Sequence, residues 1–170
     1  MIENQSVDNQ GKVVCVLHIS LFIRGIGGFG GQKSPPPIVH TPPNRSPDSV
    51  YEFDTYPNQA ILYRLCGDLN PLHVDPNFSA LGGFERPILH GLCTFGIATH
   101  GVVRNMCEND ASRISSLEGR FTSPVIPGNK LRVDMWKEGA KVLFVVTNVT
   151  AGKVAIANGA AIVSNSRSAL

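Results

Sequence analysis

Asp68 and His73 are the side chains of this 170-residue sequence whose types and spacing best suit proton chemistry. They are a carboxylate and an imidazole five residues apart, preceded by Gly67 and separated by the Asn70-Pro71 break. On one continuous helix, five residues turn roughly 140° past a full circle and the two groups diverge. Convergence therefore needs a bend. Gly67 can adopt the left-handed conformation that ends a helix, and Pro71 keeps Asn70 out of the helical region. The spacing predicts an irregular loop that aims both groups inward. An acid and a base so placed could activate a water and deliver its proton elsewhere. Locally, the same pair would also serve as a hydrogen bond that steadies a turn, because Asp and Asn favour turns.

The flanking elements follow from local signals. Residues 58–66 are free of helix breakers and carry apolar side chains at Ile61, Leu62 and Leu65, which predicts a short helix stopped by Gly67. Asp75-Pro76 reads as an N-cap with proline in the first turn of a second short helix, ended by Gly82-Gly83. From Gly91 to about Cys107 the chain is apolar on nearly all sides, which predicts a buried central helix whose glycines permit close packing. Strands are expected over 119–125, 130–136, 142–149 and 153–163, with turn signals at Pro127-Gly128, Glu138-Gly139 and Ala151-Gly152. Consecutive strands with such short turns predict an antiparallel meander with one wet face. The fold class expected is α+β, a sheet wrapped around a long helix.

Composition excludes several function classes. With 42% hydrophobic and 16% charged residues the chain can bury a real core. A net charge of +2, with no basic run interleaved with aromatics, argues against nucleic acid. The longest apolar run, residues 13–23, is too short to span a bilayer and lacks the features of a signal peptide; its valines and isoleucines predict a buried strand. The four cysteines (Cys15, Cys66, Cys93 and Cys107) form no Cys-x-x-Cys pair, which points to free thiols in a reducing compartment and not to disulfides or zinc. Cys66 and Cys93 flank the loop but have no activating base of their own. Residues 25–30 satisfy Gly-x-Gly-x-x-Gly, yet Pro35, Pro36 and Pro37 follow where a dinucleotide site needs a helix N-terminus. Six of the twelve prolines lie in residues 32–49, an expected extended linker.

Three motifs, in this order, carry a family resemblance: Tyr63-Arg-Leu-Cys-Gly67-Asp68-Leu-Asn70-Pro71-Leu-His73, then Pro87-Ile-Leu-His90-Gly91-Leu-Cys-Thr-Phe-Gly96, then Arg120-Phe-Thr-Ser-Pro-Val-Ile-Pro-Gly128. Together they resemble the MaoC-like hydratase 2 family, and within it the C-terminal half of the two-part hydratase module of peroxisomal multifunctional enzymes of type 2. The resemblance implies a hotdog fold and an R-specific 2-enoyl-CoA hydratase, a hydro-lyase of fatty acid β-oxidation that uses neither metal nor cofactor. It makes Asp68 and His73 the catalytic pair. Asn70, His90, Gly91, Leu92, Thr94 and Phe95 become candidate substrate-binding residues, with the N-H groups at Gly91 facing the thioester oxygen. His90 reads equally well as a satisfied core histidine. Arg120, Lys130 and Lys137 are candidate contacts for CoA phosphates, although scattered surface cations commonly just solvate a face.

The resemblance also sets the expected organisation. Residues 1–31 read as the remnant end of a preceding hotdog half, 32–49 as linker, 50–163 as the hydratase domain and 164–170 as a tail. The expected partners are an enoyl-CoA thioester and a second hotdog, as a homodimer or as another half, with no nucleic acid and no membrane. Ser168-Ala169-Leu170 resembles a peroxisomal address without its central cation, so the location expected is peroxisomal and otherwise cytoplasmic. A hotdog thioesterase and a truncated, non-catalytic acyl-CoA-binding fragment are the alternatives.

Overall fold

The computed structural model describes residues 2–19, 25, 27–31 and 38–164, in two compact units that divide at Pro37 and Ile38. The first unit is a β-hairpin: β1 (Ile2–Val7) pairs antiparallel with β2 (Val13–Ile19), with Ile2 opposite Ile19 and a register shift at Ser6/Val7. The turn is built by Asp8, whose Oδ1 accepts the N-H groups of Gln10 and Lys12. Residues 13–23 were expected to form a buried strand. The strand covers Val13–Ile19, and Val14 and Leu17 are more than half exposed, because a two-stranded ribbon supplies no second layer to bury them. Strand β1 was not expected at all: its sequence, IENQSV, has no apolar alternation, and pairing with β2 recruits it.

The second unit begins with residues 38–48, which carry neither helix nor strand but lie along the sheet. His40 Nε2 is 2.6 Å from Glu118 Oε1, and Arg45 bridges Asp48 and Glu138 while its carbonyl accepts the indole N-H of Trp136. A five-stranded antiparallel sheet follows, in the order β3-β5-β6-β7-β4, made of β3 (Ser49–Asp54), β4 (Ile114–Phe121), β5 (Lys130–Glu138), β6 (Lys141–Asn148) and β7 (Lys153–Val163). The meander holds for β5, β6 and β7, whose turns place Gly139 and Gly152 at positive φ. It fails for β4. That strand does not adjoin β5 but pairs with β7 at the far edge, and residues 122–129 carry the chain back across the sheet. Its position also differs from the expected 119–125. Strand β3, unanticipated, closes the opposite edge by pairing with β5.

One long helix, α3 (Gly91–Met106), contacts all five strands. Leu131, Val133 and Met135 alternate inward from β5 and join Phe144, Val146 and Ile156 in the core beneath it. The helix is not buried all round, as its composition suggested. Cys93, Thr94, Ile97, Ala98, Gly101 and Val102 form one buried face, while Leu92, Gly96 and His100 lie exposed on the other. Gly101 explains how closely the helix approaches the sheet, since a Cβ there would stand 2.8 Å from Tyr51 Cδ1. A sheet wrapped around a single helix is the hotdog fold that the resemblance implied. Two short helices, α1 (Gln59–Arg64) and α2 (Pro76–Leu81), connect β3 to α3.

Candidate active site

Helix α1 stops where glycine allows it: Gly67 has φ +105 and its N-H reaches back to the Arg64 carbonyl at 3.0 Å. The next residues build the loop from their own side chains. Asp68 Oδ1 accepts the Asn70 N-H, and Asn70 Oδ1 accepts the Leu72 N-H, which starts a single 3-10 turn over Pro71–His73. Asp75 then caps α2 through the N-H groups of Asn77 and Phe78. Asn70 is thereby occupied in shaping the loop, and it does not line the cavity described below.

The bend brings three groups together. One ligand atom from each of Asp68, His73 and His90 lies within 4.8 Å of the other two. His73 Nδ1 is 2.8 Å from the Ile88 carbonyl oxygen. A carbonyl can only accept, so Nδ1 carries a proton, and in the neutral ring Nε2 keeps a bare lone pair. The imidazole of His90 stacks on that of His73, with ring centroids 3.7 Å apart and planes 28° apart, and its Nε2 lies 3.9 Å from Asp68 Oδ2. His90 is buried at 2% exposure, and neither ring nitrogen has a hydrogen-bond partner among the described residues. Burial above all, reinforced by His73, lowers its pKa, while Asp68 opposes the shift. The Tyr63 hydroxyl is pushed up by its own burial, with Cys66, Cys93 and Asp68 adding to the shift. These three donors are also of the types and spacing that a divalent cation could gather, through His73 Nε2, a His90 nitrogen and Asp68.

Beside this cluster lies a mostly apolar cavity of about 280 Å³, bordered by His73, Phe84, Ile88, Gly91, Thr94 and Phe121 among others. The segment that carries His90 and Gly91 is fixed to the connection between β4 and β5 by the Leu89 N-H, which donates to the Val125 carbonyl at 2.7 Å. Gly91 begins α3, and its backbone N-H, one of the unpaired groups of a helix N-terminus, has no partner among the described residues. A Cβ at Gly91 would meet the Phe121 ring at 3.2 Å, so glycine keeps the cavity mouth open.

The candidate binding residues therefore separate. Gly91 and Thr94 border the cavity together with His73. Leu92 and Phe95 face a second hollow with Leu117, Glu118, Gly119 and Phe121, and Phe95 packs on Phe121 and Phe144 as part of the core. Phe121 borders both hollows, and the sequence reading passed over it; its place at the end of β4, directly opposite the Gly91 helix start, emerges only from long-range strand pairing. Cys93 is buried with its thiol pushed up to about 11, chiefly by desolvation, which is the wrong direction for a nucleophile. Of the three cations considered for phosphates, Lys130 is paired with Glu52 at 2.7 Å. A second pair is Arg86 and Lys153, which with the carboxylate Glu85 border a cleft of about 440 Å³ sharing Phe84, Ile88 and Pro124 with the His73 cavity.

A family model for a MaoC-like domain matches residues 39–159. The chain is 45% identical over 161 residues to a probable enoyl-CoA hydratase 2 of Dictyostelium discoideum, covering 93% of this chain and 55% of that protein. It is also 45% identical over 149 residues to the peroxisomal multifunctional enzyme type 2 of Mus musculus, covering 86% of this chain but 20% of the mouse protein. Among solved structures, a MaoC-like dehydratase from Phytophthora capsici superposes with a TM-score of 0.79 at 41% identity, over 88% of this chain and 51% of that one. The chain thus spans about half, or less, of the length of these relatives.

Proposed function

The chain belongs to the MaoC-like domain family, and on that premise we propose that it is an R-specific enoyl-CoA hydratase, adding water to a trans-2-enoyl-CoA to give the (3R)-3-hydroxyacyl-CoA. The observation that carries the reading is the Nε2 of His73, set by the Ile88 carbonyl, beside the Asp68 carboxylate and at the edge of a cavity that Gly91, with its unpaired N-H, also borders. A water donating one O-H to Asp68 and the other to His73 Nε2 turns a lone pair toward C3 of the substrate. As the C3-O bond forms, one of these bases takes the water's proton and the π electrons shift onto the thioester oxygen. The Gly91 N-H and the positive end of α3 stabilise that oxygen. Return of a proton to C2 completes the addition, with every atom of the water retained in the product.

Phe121, Phe84 and Ile88 suit the acyl and pantetheine portions, and Arg86 with Lys153 suits the phosphates of CoA. The test is incubation of the purified chain with crotonyl-CoA and chiral resolution of the product. The expected product is (3R)-3-hydroxybutyryl-CoA. Release of free CoA without hydration would identify a thioesterase, and binding without turnover would identify a non-catalytic acyl-CoA-binding fragment.

We further propose that the working form pairs with a second hotdog, either a copy of this chain or another half. Support comes from β4, which has a neighbour on one side only, and from the exposed outer face of α3 at Leu92, Gly96 and His100. A monomeric mass by light scattering together with full activity would overturn this. Among the described residues no helix is long and apolar enough to cross a membrane. A peroxisomal location is proposed from relatives named as peroxisomal; Ser168-Ala169-Leu170 lies outside the described residues. Imaging of the chain with a free C-terminus tests it.

A further inference from the structure

His90 is a buried side chain at this site with no role in the chemistry above, and both of its ring nitrogens lack a well-formed hydrogen bond among the described residues. The imidazole is 2% exposed with neither nitrogen in good hydrogen-bond geometry, the Asp68 main-chain carbonyl making only a loose approach, and a leucine would fill the same space without losing hydration. Its value to the fold is therefore poor, and its position explains why it is there. Face-on, the ring stacks 3.7 Å from His73; edge-on, its Nε2 points 3.9 Å from Asp68 Oδ2. His90 is thus placed against both members of the proposed pair.

The two neighbours are held differently. His73 is pinned by its Nδ1-H to the Ile88 carbonyl. Asp68 is 47% exposed, and only its Oδ1 is engaged, by the Asn70 N-H, so Oδ2 is free to swing. A shift of about 1 Å would bring Oδ2 within ordinary hydrogen-bond distance of His90 Nε2, and such bonds at active sites commonly tighten only when substrate excludes water. We propose that His90 is the positioning residue of this site: its ring face sets His73, and its Nε2-H closes onto the Asp68 carboxylate when an acyl-CoA fills the cavity, fixing the gap in which the reacting water sits. The proposal rests on the hydratase reading. The other groups facing His90 are Arg64 and Tyr63 from α1, with Tyr63 4.7 Å away ring to ring; Arg64 and His73 oppose a charged imidazole, so the donor is the neutral form.

The test compares His90→Leu and His90→Gln in the full chain, the glutamine keeping an N-H donor at similar reach. For His90→Leu the expectation is a fall of roughly 10- to 100-fold in kcat, as for an ångström-scale misplacement, with KM for crotonyl-CoA within about twofold. The acid limb of kcat, which reports the substrate-bound enzyme, should also move to higher pH, because a carboxylate that loses a donor is easier to protonate. His90→Gln should restore both. A kcat that follows only the folded fraction with an unmoved pH profile would overturn the proposal, as would a folded His90→Gln protein no better than His90→Leu. Carboxyl 13C NMR titration of Asp68 with saturated butyryl-CoA bound needs no turnover: its midpoint should be higher in His90→Leu than in the unsubstituted chain. An inactive unsubstituted chain would count against the hydratase reading, whereas an unmoved Asp68 midpoint would count against His90.

Discussion

The Nδ1-H of His73 donates to the main-chain carbonyl of Ile88 across 2.8 Å, and this bond decides which ring nitrogen is left to act as a base. Asparagine at position 73 can keep that bond, because its amide N-H overlaps Nδ1, but it has no basic nitrogen. His73→Asn should therefore unfold within about 2 kcal/mol of the unsubstituted protein in urea, since the anchor is kept and only the stack on His90 is lost. Its hydration rate should drop by roughly 10²- to 10⁴-fold, the usual contribution of a general base. Asp68→Asn should lose rate on the same scale while binding of a saturated acyl-CoA survives. Full activity in either variant would remove the pair from the mechanism.

Gly96 and Gly101 are five positions apart on α3 and should respond oppositely to alanine. A Cβ at Gly96 meets nothing within 4 Å, so Gly96→Ala gains helix propensity, about 0.5–1 kcal/mol. A Cβ at Gly101 would lie 2.8 Å from Tyr51 Cδ1 and 3.1 Å from its Cβ, so Gly101→Ala forces the helix off β3 and should cost about 1–3 kcal/mol. Urea midpoints measured at low protein concentration check the pair. Equal shifts in the two variants would mean that α3 does not sit against Tyr51 as described.

The elements that could be read from the sequence are those fixed by neighbours along the chain. Asp75-Pro76 both caps and starts α2, Gly67 ends α1, and Gly139 and Gly152 make the turns of the meander, each through local backbone chemistry. What escaped is set by distant pairing. Strand β3 is six residues long with weak alternation and exists because β5 is beside it; β4 crosses to the far edge because β7 is there. The site divides in the same way. The loop that carries Asp68, Asn70 and His73 writes its own hydrogen bonds, and so could be anticipated. The Ile88 carbonyl behind His73, the unmet nitrogens of His90 and the ring of Phe121 over Gly91 depend on segments brought in from elsewhere, for which the sequence carries no spacing signal.

Arg86 and Lys153 border one cleft without an ion-pair partner among the described residues, and under the hydratase reading they meet the phosphates of CoA. Arg86→Gln and Lys153→Gln should each raise KM for crotonyl-CoA about 10-fold or more, the scale of one charge-assisted hydrogen bond, with kcat nearly unchanged. Crotonyl-N-acetylcysteamine, which has the thioester but no phosphate, should show no difference between the variants and the unsubstituted chain. A matching KM increase with that short substrate would mean that the two cations shape the cleft and do not read phosphate.

His90 also makes stability depend on pH in a direction that can be worked out. Burial and His73 hold its pKa below the ordinary 6.5, so between that value and the lower folded one the unfolded chain binds a proton that the folded chain does not. Stability is then complete above about pH 6.5 and is lost as pH falls through that window. The paired carboxylates add a separate, lower limb: Asp48 is held below 3.8 chiefly by its hydrogen bond from Arg45, and Glu52 below 4.5 chiefly by Lys130, so their contributions persist until more acidic pH. Urea midpoints at pH 7.5 and pH 5.5 therefore leave those carboxylates aside, and comparison with His90→Leu separates His90 from the other four histidines. The unsubstituted chain should be measurably less stable at pH 5.5, and in His90→Leu that difference should shrink. An equal pH loss in both proteins would show that His90 takes up its proton in the fold as readily as in the unfolded chain, and that the stacked ring is not held in its neutral form.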